Sequence, residues 1–205
     1  MSLIQDLLCC PGSLVRGRAR HGWSGAGPFA AAIVATGALR LVVLAPPLDE
    51  CDWRAIRDLI GRTERDDLAK RFLRTFDFGD GKTVKRLLDI PVPGGEIVLA
   101  IEPDAAAAGM LHRIPVSASE AEIALLVRSN RKRRGIGSIL LSDAIVWGRA
   151  RKLQRLSALA SRDNIAVMRL ARQFGFVWRS SAGPSVELEL DLNLNQASGG
   201  RAAIA

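Results

Sequence analysis

The spacing of apolar residues in this chain changes about halfway along. From position 49 to 76 they recur every third or fourth residue: Trp53, Ile56, Leu59 and Ile60, then Leu68, Phe72 and Leu73. That spacing predicts two amphipathic helices, the first with an aspartate placed to cap it. Ahead of them "ALRLVVLA" (38–45) reads as a strand ended by Pro46 and Pro47, and after them "TVKRLLDI" (83–90) reads as a short helix or an extended linker. Past residue 95 the pattern becomes strand-like. "GEIVLAIEP", "AGMLHRIPV" and "EAEIALLVR" (95–103, 108–116 and 120–128) are β-rich runs separated by short Pro, Gly, Ser and Ala stretches, as in a meander. A long apolar helix (135–153), a strand (154–160) and a second helix (164–176) follow. A closing hairpin then sets Val186, Leu188, Leu190 and Leu192 on one face. This succession is α+β, a mostly antiparallel mixed sheet flanked by helices with one parallel crossover.

Length and composition narrow the class. At 205 residues the chain suits one domain, and 48% apolar with 24% charged residues is a globular balance. A net charge of +8 favours an anionic partner without choosing among nucleic acid, membrane and phosphorylated cofactor. Cys9, Cys10 and Cys51 are odd in number, with no metal-ligand spacing; they support neither a disulfide framework nor a zinc site, and a reducing cytoplasm is the simpler reading. His21 and His112 are too isolated to suggest a metal or a triad and are read as structural or exposed. The apolar stretch 27–48 is divided by Arg40 and broken by Gly37 and the Pro pair. It reads as a strand and not as a membrane anchor.

The most informative stretch is "RSNRKRRGIGSILL" (128–141). A strand, a Gly-rich turn and a helix meet there, and such a junction offers unpaired backbone N–H groups at the positive end of a helix. Gly135 and Gly137 let an anion approach the backbone, with Arg131, Lys132, Arg133 and Arg134 around it. Neither a P-loop nor a GxGxxG unit fits, and the basic run lacks the aromatic interleaving of a nucleic-acid binder.

What the stretch resembles is motif A of the GNAT superfamily of acyl-CoA-dependent N-acetyltransferases, with Lys132 in place of the usual Arg or Gln before Gly135 and Gly137. "SRDNIAVMRLARQFGF" (161–176) resembles the family's second signature, an Asn, a helix and a Gly-Phe. The resemblance implies the GNAT fold over 38–192, with a splayed central strand. Residues 1–37 are then an N-terminal extension, disordered in one reading, and 193–205 a flexible tail. It further implies acetyl-CoA as cosubstrate and no metal. The pyrophosphate would lie along Lys132, Arg133, Arg134, Gly135, Ile136, Gly137 and Ser138, and the pantetheine arm against Asn164. Freed amides of Leu125, Leu126 and Val127 would hold the thioester end.

Acetylating an alkylamine needs a base, because the amine is protonated at neutral pH. Glu120 and Glu122 share one strand face, and the segment from Ala121 to Gly137 resembles bacterial Pat-type protein-lysine acetyltransferases, in which a Glu at the position of Glu122 is the proposed base; Glu120 is the reserve. Arg71, Phe72 and Met168 match further Pat elements. Many family members place a Tyr acid where this chain has Ala171, and the chain contains no Tyr, so no acid is assigned. The expected acceptor is a protein lysine, with an acyl-CoA synthetase as one candidate carrier. A small amine is the enzymatic alternative, and a non-catalytic acyl-CoA sensor the alternative of another class. Neither nucleic acid nor membrane is expected as a partner, and the expected setting is a bacterial cytoplasm.

Overall fold

A computed structural model describes residues 39–78, 81–88, 92–179 and 183–193. The readings for the extension 1–37, for His21, Cys9 and Cys10, and for the tail beyond residue 193 lie outside the described residues.

Strand β1 (Arg40–Leu44) leads to helices α1 (Glu50–Gly61), α2 (Arg65–Phe72) and α3 (Gly81–Leu88). Strands β2 (Glu96–Ile101), β3 (Ala107–Pro115) and β4 (Glu120–Val127) then form an antiparallel meander with β1 on its outer edge. Helix α4 (Ile136–Ala150) carries the chain over to β5 (Arg155–Ser161), which runs parallel to β4. After α5 (Ile165–Gln173) come β6 (Val177–Arg179) and β7 (Ser185–Asp191). The seven-stranded order is β1-β2-β3-β4-β5-β7-β6, so β7 lies inside and the short β6 forms the edge.

Local signals account for most of these elements. Asp49 caps α1 by accepting from the Asp52 N–H at 2.9 Å, and the Asp52 carboxylate accepts from the Asp49 N–H at 3.1 Å, a reciprocal capping box. The ambiguous run at 83–90 is helical through Leu88 because Val84 and Leu88 fall on one buried face. Helix α2 ends at Phe72, short of the expected residue 76, because Leu73 takes a positive φ of 56°.

Burial explains why the strands read differently in sequence. Helices α1–α3 cover one face of the sheet, packing Ile56, Leu59, Ile60 and Leu88 on Ile97, Leu99, Met110 and Leu126. Helices α4 and α5 cover the other, against Val98, Leu111, Ile123, Leu156 and Leu188. Strand β2 is sandwiched between both layers and is apolar almost throughout. Strand β7 is covered on one face only and alternates, with Val186, Leu188 and Leu190 buried and Glu187 exposed. Each fully buried Leu or Ile stabilises the fold by about 1.5–3 kcal/mol.

Among the described residues, no helix is long and apolar enough to cross a membrane.

Candidate active site

The opening in the sheet lies between β4 and β5. Only three positions pair across them: Glu120 with Arg155, Ala121 with Leu156 and Glu122 with Ser157. Beyond Glu122 the strands diverge, while β4 stays paired with β3 as far as Val127 opposite Gly109. The resulting cleft is lined by Ile123, Ala124 and Leu125 on one side and by Ala158, Leu159 and Ala160 on the other.

Backbone parity decides which amides face the cleft. The Arg128 N–H donates to the Ala108 carbonyl at 2.9 Å, and the Val116 N–H donates to the Glu120 carbonyl at 2.9 Å. In an antiparallel pair the hydrogen-bonded positions alternate, so even-numbered β4 residues point their amides at β3 and odd-numbered ones point away. Leu125 and Val127 therefore present N–H groups on the open side. The Leu126 amide, grouped with them on sequence, faces β3, and its side chain is buried against α1–α3.

The basic loop after β4 divides into anchored and free charges. Arg128 is buried and donates to Glu102 at 2.8 Å and to Asn130 at 3.0 Å, while Arg131 meets Glu102 at 2.7 Å. Lys132 is ion-paired with Asp67 of α2. The Ser129 hydroxyl donates to Asp67 at 2.6 Å and accepts from the Glu64 N–H at 2.9 Å. Burial alone would raise the Asp67 carboxyl; hydrogen bonds from Lys132 and Ser129, with the Lys132 and Lys70 charges, hold it below its ordinary value. Of the four consecutive cations, Arg133 and Arg134 are exposed and have no ion pair among the described residues.

The turn into α4 is open. No side chain caps the helix, so the first-turn amides of Ile136, Gly137 and Ser138 lack intrahelical acceptors. Gly135 has a φ of +79°, and a Cβ there would meet nothing within 4 Å, so its surface is accessible to an anion. Gly137 differs from the sequence reading: a Cβ there would lie 3.2 Å from Leu170 and 3.8 Å from Val127, so its missing side chain makes room for α5. Asn164 lines the cleft and caps α5, its Oδ1 accepting from the Val167 N–H at 3.3 Å. Ala171, where the family template has its Tyr, also lines the cleft.

The two candidate bases are distinguished by their partners. Glu120 is engaged by Arg155 at 3.3 Å. Glu122 is exposed and, among the described residues, makes no hydrogen bond or ion pair. Its charge reaches Arg71 of α2, whose guanidinium lines the cleft and donates to His112 Nδ1 at 3.4 Å. Burial, then the Arg71 charge, pushes the His112 pKa down to about 3. The ring is therefore neutral at ordinary pH, and because Nδ1 accepts, its proton is on Nε2. His112 is buried on β3 opposite Ala124, on the Glu122 face of the sheet. Sequence reading set it aside because only strand register brings it there. Among the described residues no group of His, Cys, Asp or Glu could hold a metal ion.

The arrangement offers two outward amides in a sheet opening, a free carboxylate at its closed end and an uncapped helix start with two free arginines at the other. A linear molecule with an anionic head and a reactive tail fits that order. Residues 53–176 match the model of the acetyltransferase (GNAT) family. No curated protein matches the chain by sequence. Among solved structures, the GNAT domain of S. lividans PAT is 20% identical with a TM-score of 0.62, over 75% of this chain and 89% of that one. Vibrio cholerae spermidine N-acetyltransferase, solved with CoA and spermine, is 15% identical with a TM-score of 0.58, over 75% and 96%. Salmonella typhimurium yncA, solved with its cofactor acetyl-CoA, is 19% identical with a TM-score of 0.55, over 81% and 97%.

Proposed function

We propose that this chain, which belongs to the GNAT acetyltransferase family, uses acetyl-CoA to acetylate the ε-amino group of a lysine on a partner protein. The observation that carries the proposal is Glu122, an unpaired carboxylate on the last rung before β4 and β5 part. In this reading Glu122 accepts the proton of the incoming ammonium, directly or through water, and the amine then attacks the thioester carbon. The Leu125 and Val127 amides polarise the thioester carbonyl. Gly135, Ile136, Gly137 and Ser138 hold the pyrophosphate through backbone N–H groups, with Arg133 and Arg134 adding charge and Lys132 positioned through Asp67. Asn164 lies against the pantetheine arm. The departing thiolate takes its proton from water, since Ala171 supplies none.

The surroundings of Glu122 suit a cationic acceptor. The face of β4, β5 and β7 on which it lies carries Glu120, Glu187, Glu189 and Asp191, against Arg155 and Arg179. The local charge is thus opposite in sign to the net +8 of the chain. A lysine-bearing segment fits that face, and the Pat-like run from Ala121 to Gly137 favours it. A polyamine fits it as well, which keeps a small-amine acceptor as the second reading.

The test is thiol release from acetyl-CoA with a panel of acyl-CoA synthetases and a panel of small amines, for wild type and Glu122→Gln. Release that requires a protein acceptor and disappears in the variant is the expected result. Release with a small amine alone moves the function to the second reading. Tight acetyl-CoA binding with no release on either panel favours a sensor.

A further inference from the structure

Arg113, Arg128 and Arg71 all carry buried guanidinium atoms, and the fold treats them differently. Arg113 meets Glu96 at 3.1 Å and is also ion-paired with Asp143, while Arg128 meets Glu102 at 2.8 Å. Arg71 has no carboxylate within ion-pair distance among the described residues. Its one hydrogen bond is to neutral His112 Nδ1, it stacks on Phe72 at 4.9 Å, and its Nε is buried without a partner. The Glu122 charge reaches it only from a distance. A buried cation with no directly paired carboxylate is costly, so one inside a cleft points to an anionic ligand group.

Which anion it is follows from position. Arg71 lines the same opening as Ala124, Leu125 and Ala158. The pyrophosphate cradle begins past Val127, whereas Arg71 meets His112, which lies opposite Ala124 three residues earlier on β4. An anionic acceptor is disfavoured because the acceptor face presents Glu120, Glu187 and Glu189. The acyl group remains. Ala124, Ala158, Ala160 and Ala171, all with small side chains, line the cleft around it.

We infer that Arg71 is a specificity residue that pairs with the terminal carboxylate of a short dicarboxylic acyl-CoA, of the malonyl or succinyl class. The inference rests on the reading of the cleft as an acyl-CoA site. Transfer keeps the same balance as for acetyl: one ammonium proton goes to Glu122, the amide C–N bond forms, the C–S bond breaks, the second N–H proton leaves the tetrahedral intermediate to water, and water returns one proton to the thiolate. The terminal carboxylate is unchanged.

Calorimetric titration of the full chain with CoA, butyryl-CoA and succinyl-CoA tests it, because the two acyl groups have similar size and differ in charge. Wild type is expected to bind succinyl-CoA about tenfold tighter than butyryl-CoA, roughly one well-formed charge pair. The ratio should fall to about one in Arg71→Met and keep part of its value in Arg71→Lys. Wild type binding butyryl-CoA as tightly as succinyl-CoA, or a ratio that survives Arg71→Met, overturns the inference. If CoA itself fails to bind wild type, the acyl-CoA reading of the cleft falls too. CoA binding without a succinyl preference sinks this inference alone.

Discussion

The two ends of β4 have the same neighbour on one side and different neighbours on the other. Along its whole length β4 is paired with β3, from Ala121 opposite Pro115 to Val127 opposite Gly109. At its start it is also closed against β5, where Arg155 draws Glu120 and Glu189 together. At its end that second neighbour is gone. The closed end fixes a carboxylate, and the open end frees two amides and leads into an anchored basic loop. The contrast teaches that a sheet can open a slot without loosening, provided one neighbour holds the register while the other departs.

The largest break in that comparison should come from the closed end. Glu122→Gln is expected to lower turnover about a hundredfold or more, while Glu120→Gln changes it only a few-fold, since Glu120 is tied to Arg155. Parallel acetyl-CoA titrations should give similar affinities for both variants. Equal losses at the two positions would remove the distinction drawn between them.

Next comes the open end. A Cβ at Gly109 would lie 2.9 Å from the Leu126 carbonyl oxygen and 3.2 Å from the side chains of Ile136 and Leu140. Gly109→Ala should therefore push β3, β4 and the start of α4 apart, costing about 1–3 kcal/mol in denaturant unfolding. CoA affinity should fall with it, because the amide of Val127 and the helix start move together.

A subtler probe is His112, opposite the position where β4 leaves β5. Its folded pKa of about 3 lies far below the ordinary imidazole value, so the unfolded chain binds a proton that the folded chain refuses. Stability is unaffected by this group above pH about 6.5 and falls as pH drops from there toward 3, by up to about 1.4 kcal/mol per pH unit. Urea midpoints at pH 7, 6 and 5 should show a shallower decline for His112→Gln than for wild type. The charged neighbours on that face, Arg71 and Glu122, are common to both proteins.

The smallest effect separates free from anchored cations. Arg133→Ala and Arg134→Ala should each weaken CoA binding by about 0.5 kcal/mol and reduce its salt dependence without changing stability. Lys132→Ala should instead affect both binding and stability, because it removes the ion pair of Asp67 and leaves it the Ser129 hydrogen bond and the more distant Lys70 charge. Equal behaviour of all three would erase the division of the basic run.

Legibility in the sequence followed the range of the interactions. Helix α1 was visible because its cap, Asp49, and its apolar stripe lie within fourteen residues. The cradle was visible because a strand end, two glycines and a helix start are contiguous, and Glu122 because strand alternation and a local resemblance pointed to it. The roles of the members were less visible. Nothing local distinguishes Lys132 from Arg133, because the carboxylate that takes Lys132 lies 65 positions earlier in the chain. The orientation of the Leu126 amide depends on which strand lies beside it. Gly137 was read as leaving space for an anion, yet its neighbour is a leucine on another helix.

The sequence by itself determined the kinds of element, their order and the stretch proposed to bind an anion, since these depend on spacing, capping and turn chemistry within one segment. Tertiary structure alone decided where β4 parts from β5, which of the two glutamates stays unpaired, and which buried arginine goes without a directly paired carboxylate. Those outcomes depend on distances between residues 17 to 41 positions apart in the chain, and only packing sets such distances.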